Sequence, residues 1–128
     1  MRVLLDTHAF LWWLAGSDRL SGAARAAIGD PENDILVSAA SAWEIAVKHR
    51  LGKLPGADDV ALDVAGCIAS QGFLELPITV RNGERAGRLP GPHRDPFDRM
   101  LIAQALALDL PLVSLETLFD RYGVTRIW

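Results

Sequence analysis

Arg2-Val3-Leu4-Leu5-Asp6-Thr7-His8 decides how the chain is read. A short run of Val and Leu ending in an acid reads as a buried strand. A charged residue straight after such a strand is costly unless something uses it. Thr7–Ala15 follows, rich in Leu and Trp, and reads as a helix stopped by Gly16. Asp6 therefore sits at a strand-to-helix junction. In an open α/β sheet, ligands collect at that rim, outside the carboxyl ends of the strands.

The pattern repeats outward from this junction. Ser21 is a good N-cap for a helix over 21–28, ended by Gly29-Asp30-Pro31. Ile35-Leu36-Val37 is a second buried strand, running into a helix over 38–51 that Gly52 closes. Asp58 is read as the cap of one helix reaching about 71, then a strand over 73–78 and a helix over 79–89. Pro90-Gly91-Pro92 is a loop, and Asp95-Pro96 is a strong helix start for a segment to about 108. A strand over 111–114, a helical turn over 116–122 and a terminal strand over 125–128 complete the chain. Strands apolar on both faces, alternating with helices, indicate a central parallel β-sheet covered by helices on both sides. With 128 residues and neither repeat nor linker, the expectation is a single α/β domain over 1–128.

Half of the residues are hydrophobic and 23% charged, which excludes a disordered or low-complexity chain. No apolar run approaches the roughly 20 residues of a bilayer span, and Asp6 interrupts the apolar start before a signal-peptide core can form. One cysteine, Cys67, forms no internal disulfide and no thiolate metal site. A cytoplasmic location and no membrane contact are expected. The net charge of −3, from thirteen Lys+Arg against sixteen Asp+Glu, argues weakly against a nucleic-acid partner. Its distribution argues the other way. Both lysines fall in Lys48-His49-Arg50-Leu51-Gly52-Lys53, and a second basic stretch carries Arg81, Arg85, Arg88, Arg94 and Arg99. The second stretch reads either as a solvated helix face or as an RNA-backbone contact.

Four acids are expected at the one rim. Asp6 follows the first strand, Glu116 lies two residues past Ser114, Glu44 is in the first turns of the helix after the second strand, and Asp98 is in the first turn after Asp95. Four carboxylates at close range repel unless a cation, shared protons or water lies between them. Hard oxygen ligands without His or Cys suit Mg²⁺ or Mn²⁺, which also bind phosphate oxygens, and such a site suits phosphodiester hydrolysis.

Each acid also has a structural reading. Asp95 is an N-cap, Ser41-Ala42-Trp43-Glu44 has capping-box spacing, and Asp98 suits a helix dipole. Asp6 fits a turn, and Glu116 fits the start of a surface helix. Thr7 and Ser114 are caps or carboxylate partners. His8, His49 and His93 have no zinc-type spacing and receive no role. Trp12, Trp13, Trp43 and Trp128 read as core or dimer surface. The chain has no GxxxxGK[ST] loop, no GxGxxG and no GxSxG elbow. Receiver-type and haloacid-dehalogenase-type folds also fail, because Thr7 and His8 stand where each wants an acid and no lysine follows Lys53.

These residues resemble the PIN-domain ribonucleases, and within them the VapC-type toxins of bacterial toxin–antitoxin pairs. Leu4-Leu5-Asp6-Thr7-His8 is similar to the opening motif and Ser38-Ala39-Ala40-Ser41-Ala42-Trp43-Glu44-Ile45 to the second. Asp95-Pro96-Phe97-Asp98-Arg99-Met100-Leu101-Ile102-Ala103-Gln104-Ala105 is similar to the third, and Leu112-Val113-Ser114-Leu115-Glu116 with Phe119 to the fourth. The resemblance covers essentially the whole chain in order. It implies a PIN-like fold, Mg²⁺- or Mn²⁺-dependent endonucleolytic cleavage of RNA, a homodimer, and a small antitoxin protein that occludes the site. Asp6, Glu44 and Asp98 fall on the family's metal-binding acids. Glu116 stands where the family usually has Asp, one methylene longer, and Asp95 matches an acid common in this branch.

The expected site thus has Asp6 and Asp98 on the metal, Glu44 and Glu116 acting through water, and Thr7, Asp95 and Ser114 in support. Lys48, Arg50, Lys53, Arg85 and Arg99 are the expected RNA contacts. A nuclease acting on DNA or structured nucleic acid, or a binding module without turnover, are the alternatives.

Overall fold

The computed structural model describes residues 1–91 and 93–128; Pro92, expected in the loop after the sixth helix, lies outside them. Along the chain run β1 (Arg2–Leu5), α1 (Thr7–Ala15), α2 (Gly22–Gly29), β2 (Asp34–Ser38), α3 (Ala39–Arg50), α4 (Asp58–Leu62), α5 (Val64–Ser70) and β3 (Leu74–Leu76). Then come α6 (Val80–Arg88), α7 (Pro96–Leu108), β4 (Leu112–Val113), a 3₁₀ helix (Thr117–Tyr122) and β5 (Arg126–Ile127). The sheet order is β3-β2-β1-β4-β5, and every pairing is parallel. The order reverses between β1 and β4, which opens a crevice at their carboxyl ends.

Side chains alternate across the strands. Val3, Leu5, Ile35, Val37 and Val113 pack on one face with Phe10, Ile28, Ile45 and Ile68. Leu4, Leu36 and Leu112 pack on the other with Leu101, Ile102, Ala105 and Phe119. Each fully buried side chain of this size contributes about 1.5–3 kcal/mol of transfer free energy, so both helical layers are anchored to the sheet. Trp12, Trp13 and Trp128 lie partly buried against the first face, whereas Trp43 is exposed and meets Phe97 edge-on at 4.8 Å.

The sequence-based helix over 58–71 is two helices. Asp63 (φ −155°, ψ 73°) breaks it, and its carboxylate accepts from Gly66 N at 2.9 Å to start α5. A Cβ at Gly66 would stand 2.2 Å from Asp63 Oδ2, so a larger residue there would require the carboxylate to turn. Asp58 does not cap α4 but is its first residue, with its side chain 2.8 Å from His49 Nε2. The two terminal strands expected over 111–114 and 125–128 shorten to two paired residues each.

Candidate active site

Asp6 leaves the sheet at the switch point. Its amide donates to Val113 O at 3.1 Å, which ties the residue to the neighbouring strand. Its Oδ1 caps α1 by accepting from Ala9 N at 2.7 Å. The turn reading is therefore realised, yet Asp6 is only 7% exposed, which a capping role does not require. Burial pushes its pKa up, against the Ser114 hydroxyl, the Ala9 amide and His8, which favour the charged form; Glu44 pushes it further up.

Glu44 enters from α3 and is 3% exposed. The cap of that helix is Ser38, whose Oγ accepts from Ala40 N at 3.0 Å. The capping-box reading of Ser41 and Glu44 is thereby set aside. Ser41 Oγ accepts instead from Thr7 Oγ1 at 2.9 Å, joining the starts of α1 and α3, and Glu44 Oε2 pairs with Lys48 Nζ one turn on.

Asp98 arrives on α7. Asp95 caps this helix, with Oδ1 accepting from Phe97 N at 2.9 Å and from Asp98 N at 3.3 Å, and Pro96 is its first residue. Asp98 Oδ2 lies 2.8 Å from His93 Nε2. Its pKa is pushed up to about 6 by burial, then by the Asp95 and Glu44 charges, against the His93 hydrogen bond and charge. Glu44 thus raises both Asp6 and Asp98. Three acids from three separate elements share one electrostatic neighbourhood.

Glu116 differs from them in exposure. It is exposed, and its Oε1 caps the 3₁₀ helix through Leu118 N at 3.0 Å while its amide donates to the buried Ser114 Oγ. It lines a cleft of about 300 Å³ with Asp6, His8, Trp12, Arg19 and Leu115, so it reaches the crevice from the outer side. Among the described residues, no three His, Cys, Asp or Glu side chains come close enough together to hold an ion. Asp6, Glu44 and Asp98 are engaged with Ala9 N, Lys48 and His93 respectively. The donor set nonetheless fits a hard dication: carboxylate oxygens, buried at Asp6 and Glu44 and half-buried at Asp98, whose mutual repulsion a cation would relieve.

The basic residues divide. Arg50, Lys53 and Arg85 are exposed, and Lys48 is half-buried beside Glu44. Arg99, expected to contact RNA, is a brace instead. Its Nε donates to Ala86 O at 3.0 Å, its Nη1 to His93 O at 2.9 Å and its Nη2 to Leu89 O, so main-chain carbonyls use all three nitrogens. Its guanidinium stitches the end of α6 and the following loop to α7.

Two neighbours of the site escaped the sequence reading. His93 lacks zinc-type spacing and reads in sequence as an ordinary loop histidine, although it lies five residues before an acid across a strong helix start. Gln104, fully buried on α7, accepts from Ser38 Oγ and donates to Pro77 O at 3.2 Å, linking β2 to α7 beneath the rim. A glutamine inside an apolar helix repeat was the available signal.

Known proteins sharpen this picture. A 31-residue stretch is 68% identical to "Ribonuclease VapC16" of Mycobacterium tuberculosis, covering 24% of this chain and 22% of that protein. The shared stretch is therefore about a fifth of that relative's length. The fold is similar to the crystal structure of VapBC2 from Rickettsia felis bound to a promoter DNA fragment, at TM-score 0.70 and 13% identity over 98% of this chain and 97% of that one. It is also similar to VapC20 of Mycobacterium tuberculosis, described as a sarcin–ricin loop cleaving toxin, at TM-score 0.69 and 19% identity over 96% of both chains. The profile of the PIN domain matches residues 3–124, from β1 through the 3₁₀ helix and every acid considered above, and the chain belongs to the PIN domain family.

Proposed function

We propose that this PIN domain is a Mg²⁺- or Mn²⁺-dependent endoribonuclease and the toxin of a toxin–antitoxin pair. The observation that carries the reading is the placement of buried Asp6 and Glu44 and half-buried Asp98 on the β1–α1 junction, α3 and α7, where the Glu44 charge pushes the pKa of both aspartates up. The match to a protein named a ribonuclease supports RNA as substrate, and the likeness to toxin–antitoxin structures supports the biological setting.

Asp6 and Asp98 would hold the cation, with Glu44 and Glu116 completing the pocket through water. When bound, the dication would supply charge neutralisation at the phosphodiester and a lowered pKa for a nearby water. The remaining contributions belong to the chain. Glu44 and Glu116 accept hydrogen bonds from the attacking water and orient it. Ser114 steadies the charged form of Asp6, Thr7 fixes the start of α1 against α3, and Asp95 fixes the start of α7 beneath Asp98. Lys48, Arg50, Lys53 and Arg85 offer phosphate contacts that offset the overall negative charge.

A small antitoxin protein that covers the crevice and a second copy of the chain are the proposed protein partners. The proposed location is the cytoplasm; among the described residues no helix is long and apolar enough to cross a membrane. Incubation of total cellular RNA with the chain, with and without Mg²⁺, tests the reading. Discrete cut ends that vanish in excess EDTA and in Asp6→Asn are expected. Full cleavage in EDTA overturns the metal mechanism, and cleavage of DNA but not RNA overturns the substrate.

A further inference from the structure

We infer that His93 is a positioning residue of the acidic site, holding Asp98 Oδ2 so that the carboxylate meets a divalent cation in a fixed orientation. The inference rests on the reading of Asp98 as a metal-holding acid.

Its basis is how His93 itself is held. Its backbone N–H donates to Tyr122 Oη at 3.2 Å, and its carbonyl accepts from Arg99 Nη1 at 2.9 Å. Its ring stands edge-on to Phe119 at 6.2 Å, with the side chain only 13% exposed. Arg99 is anchored in turn on Ala86 O and Leu89 O, so the support extends to α6. Gly91 adopts φ +96°, and a Cβ there would lie 2.8 Å from Tyr122 Oη; the loop backbone passes close to the same hydroxyl that receives His93. An imidazole fixed at backbone and ring is a rigid donor.

Asp98 needs such a donor. Its backbone is set by the Asp95 cap, but a free carboxylate still rotates about its side-chain bonds. Nε2 fixes one oxygen at 2.8 Å, and Oδ1 receives no hydrogen bond from the described residues. A donor behind one oxygen and a cation before the other is the arrangement by which outer residues orient metal ligands. If His93 served packing alone, its replacement would change stability and leave cation affinity untouched.

Mn²⁺ affinity of the RNA-free chain, read from the electron paramagnetic resonance signal of free Mn²⁺ during titration, separates the two. His93→Ala and His93→Asn should weaken binding about 10–100-fold, because neither brings a donor to Oδ2. His93→Gln, whose Nε2 can occupy the place of the imidazole Nε2, should stay within about 3-fold of the parent. RNA cleavage by His93→Asn should recover most of its kcat as Mn²⁺ is raised. Parent-like affinity in His93→Asn overturns the inference. So does an equal loss in the Gln and Asn variants, which differ by one methylene and decide the matter even if the Ala variant fails to fold. Mn²⁺ binding by the parent that Asp98→Asn leaves unchanged overturns the metal-holding role of Asp98 as well, and so marks failure of the underlying reading.

Discussion

Asp34 opens β2 at the amino ends of the strands, register partner of Arg2, and both side chains are exposed. Asp6 closes β1 at the carboxyl ends, in the same sheet and one strand away, and is 7% exposed. Water solvates the first acid at no cost to the fold. The second is largely kept from water, accepts a backbone hydrogen bond from Ala9 N at 2.7 Å, has a neighbouring hydroxyl, and is further repelled by Glu44. Helix capping accounts for the position of Asp6 but not for its burial, since an exposed aspartate caps a helix as well. The two ends of one sheet thus separate an acid that serves solubility from an acid the fold keeps at a cost. Loss of stability at a site that chemistry needs is the expected trade.

Exchange of charge for an amide at each end is the sharpest way to break this comparison. Asp6→Asn and Asp98→Asn should each lower RNA cleavage on the order of 10³-fold or more, the equivalent of losing about 4 kcal/mol of metal-assisted stabilisation. Asp34→Asn should cleave like the parent. Cleavage time courses, with circular dichroism to show intact folds, check both. A comparable loss in Asp34→Asn would remove the distinction between the rims.

A smaller contrast lies within the carboxyl rim. Glu44→Gln should cost about 10–100-fold in cleavage, as expected for a group that orients water or ligands. Glu116→Gln should cost only a few-fold, because the amide oxygen still accepts from Leu118 N and keeps the 3₁₀ cap. Equal losses would place Glu116 as deep in the chemistry as Glu44 and contradict its exposed, capping position.

The same contrast explains what was legible in the sequence. Alternation of short apolar runs with capped helices is a local signal, and it carried β1, β2, α1, α3 and the start of α7 to within a residue or two. Parallel pairing followed because Leu4 and Leu5 both had to be buried, on opposite faces. The break at Asp63 is not legible: a helix-period pattern continues through it, whereas the non-helical Asp63 backbone and its cap on Gly66 N are features of the folded chain. At the site, the residue types and the rim could be read, but partners could not. Arg99 looked like a phosphate contact because its charge is visible in sequence, whereas the carbonyls that absorb it come from Ala86, Leu89 and His93. His93 was missed for the complementary reason, its partner being chosen by the loop and not by spacing.

Stability gives the finest test, because it measures the cost of the buried charge directly. Asp98 has its pKa raised from 3.8 to about 6, by burial, then Asp95 and Glu44, with His93 opposing. Between those two values the folded chain binds more protons than the unfolded one, so stability falls as pH rises through that window and stays lower above it. Asparagine cannot ionise. Asp98→Asn should therefore unfold like the parent at pH 4 and be more stable than it at pH 7.5, both in EDTA. The rise from 3.8 to about 6 corresponds to at most about 3 kcal/mol, and solvent screening at the partly exposed Asp98 reduces the expected gain to roughly 1–2 kcal/mol. Thermal melts at the two pH values read this as a rise of several degrees confined to the higher one. Saturating Mg²⁺ should then reverse the ranking, raising the melting temperature of the parent and not of the variant, since only the parent keeps the charge that a cation can use. A variant that gains nothing at pH 7.5 would mean that Asp98 carries its charge without strain, and the carboxyl rim would differ from the amino rim in position alone.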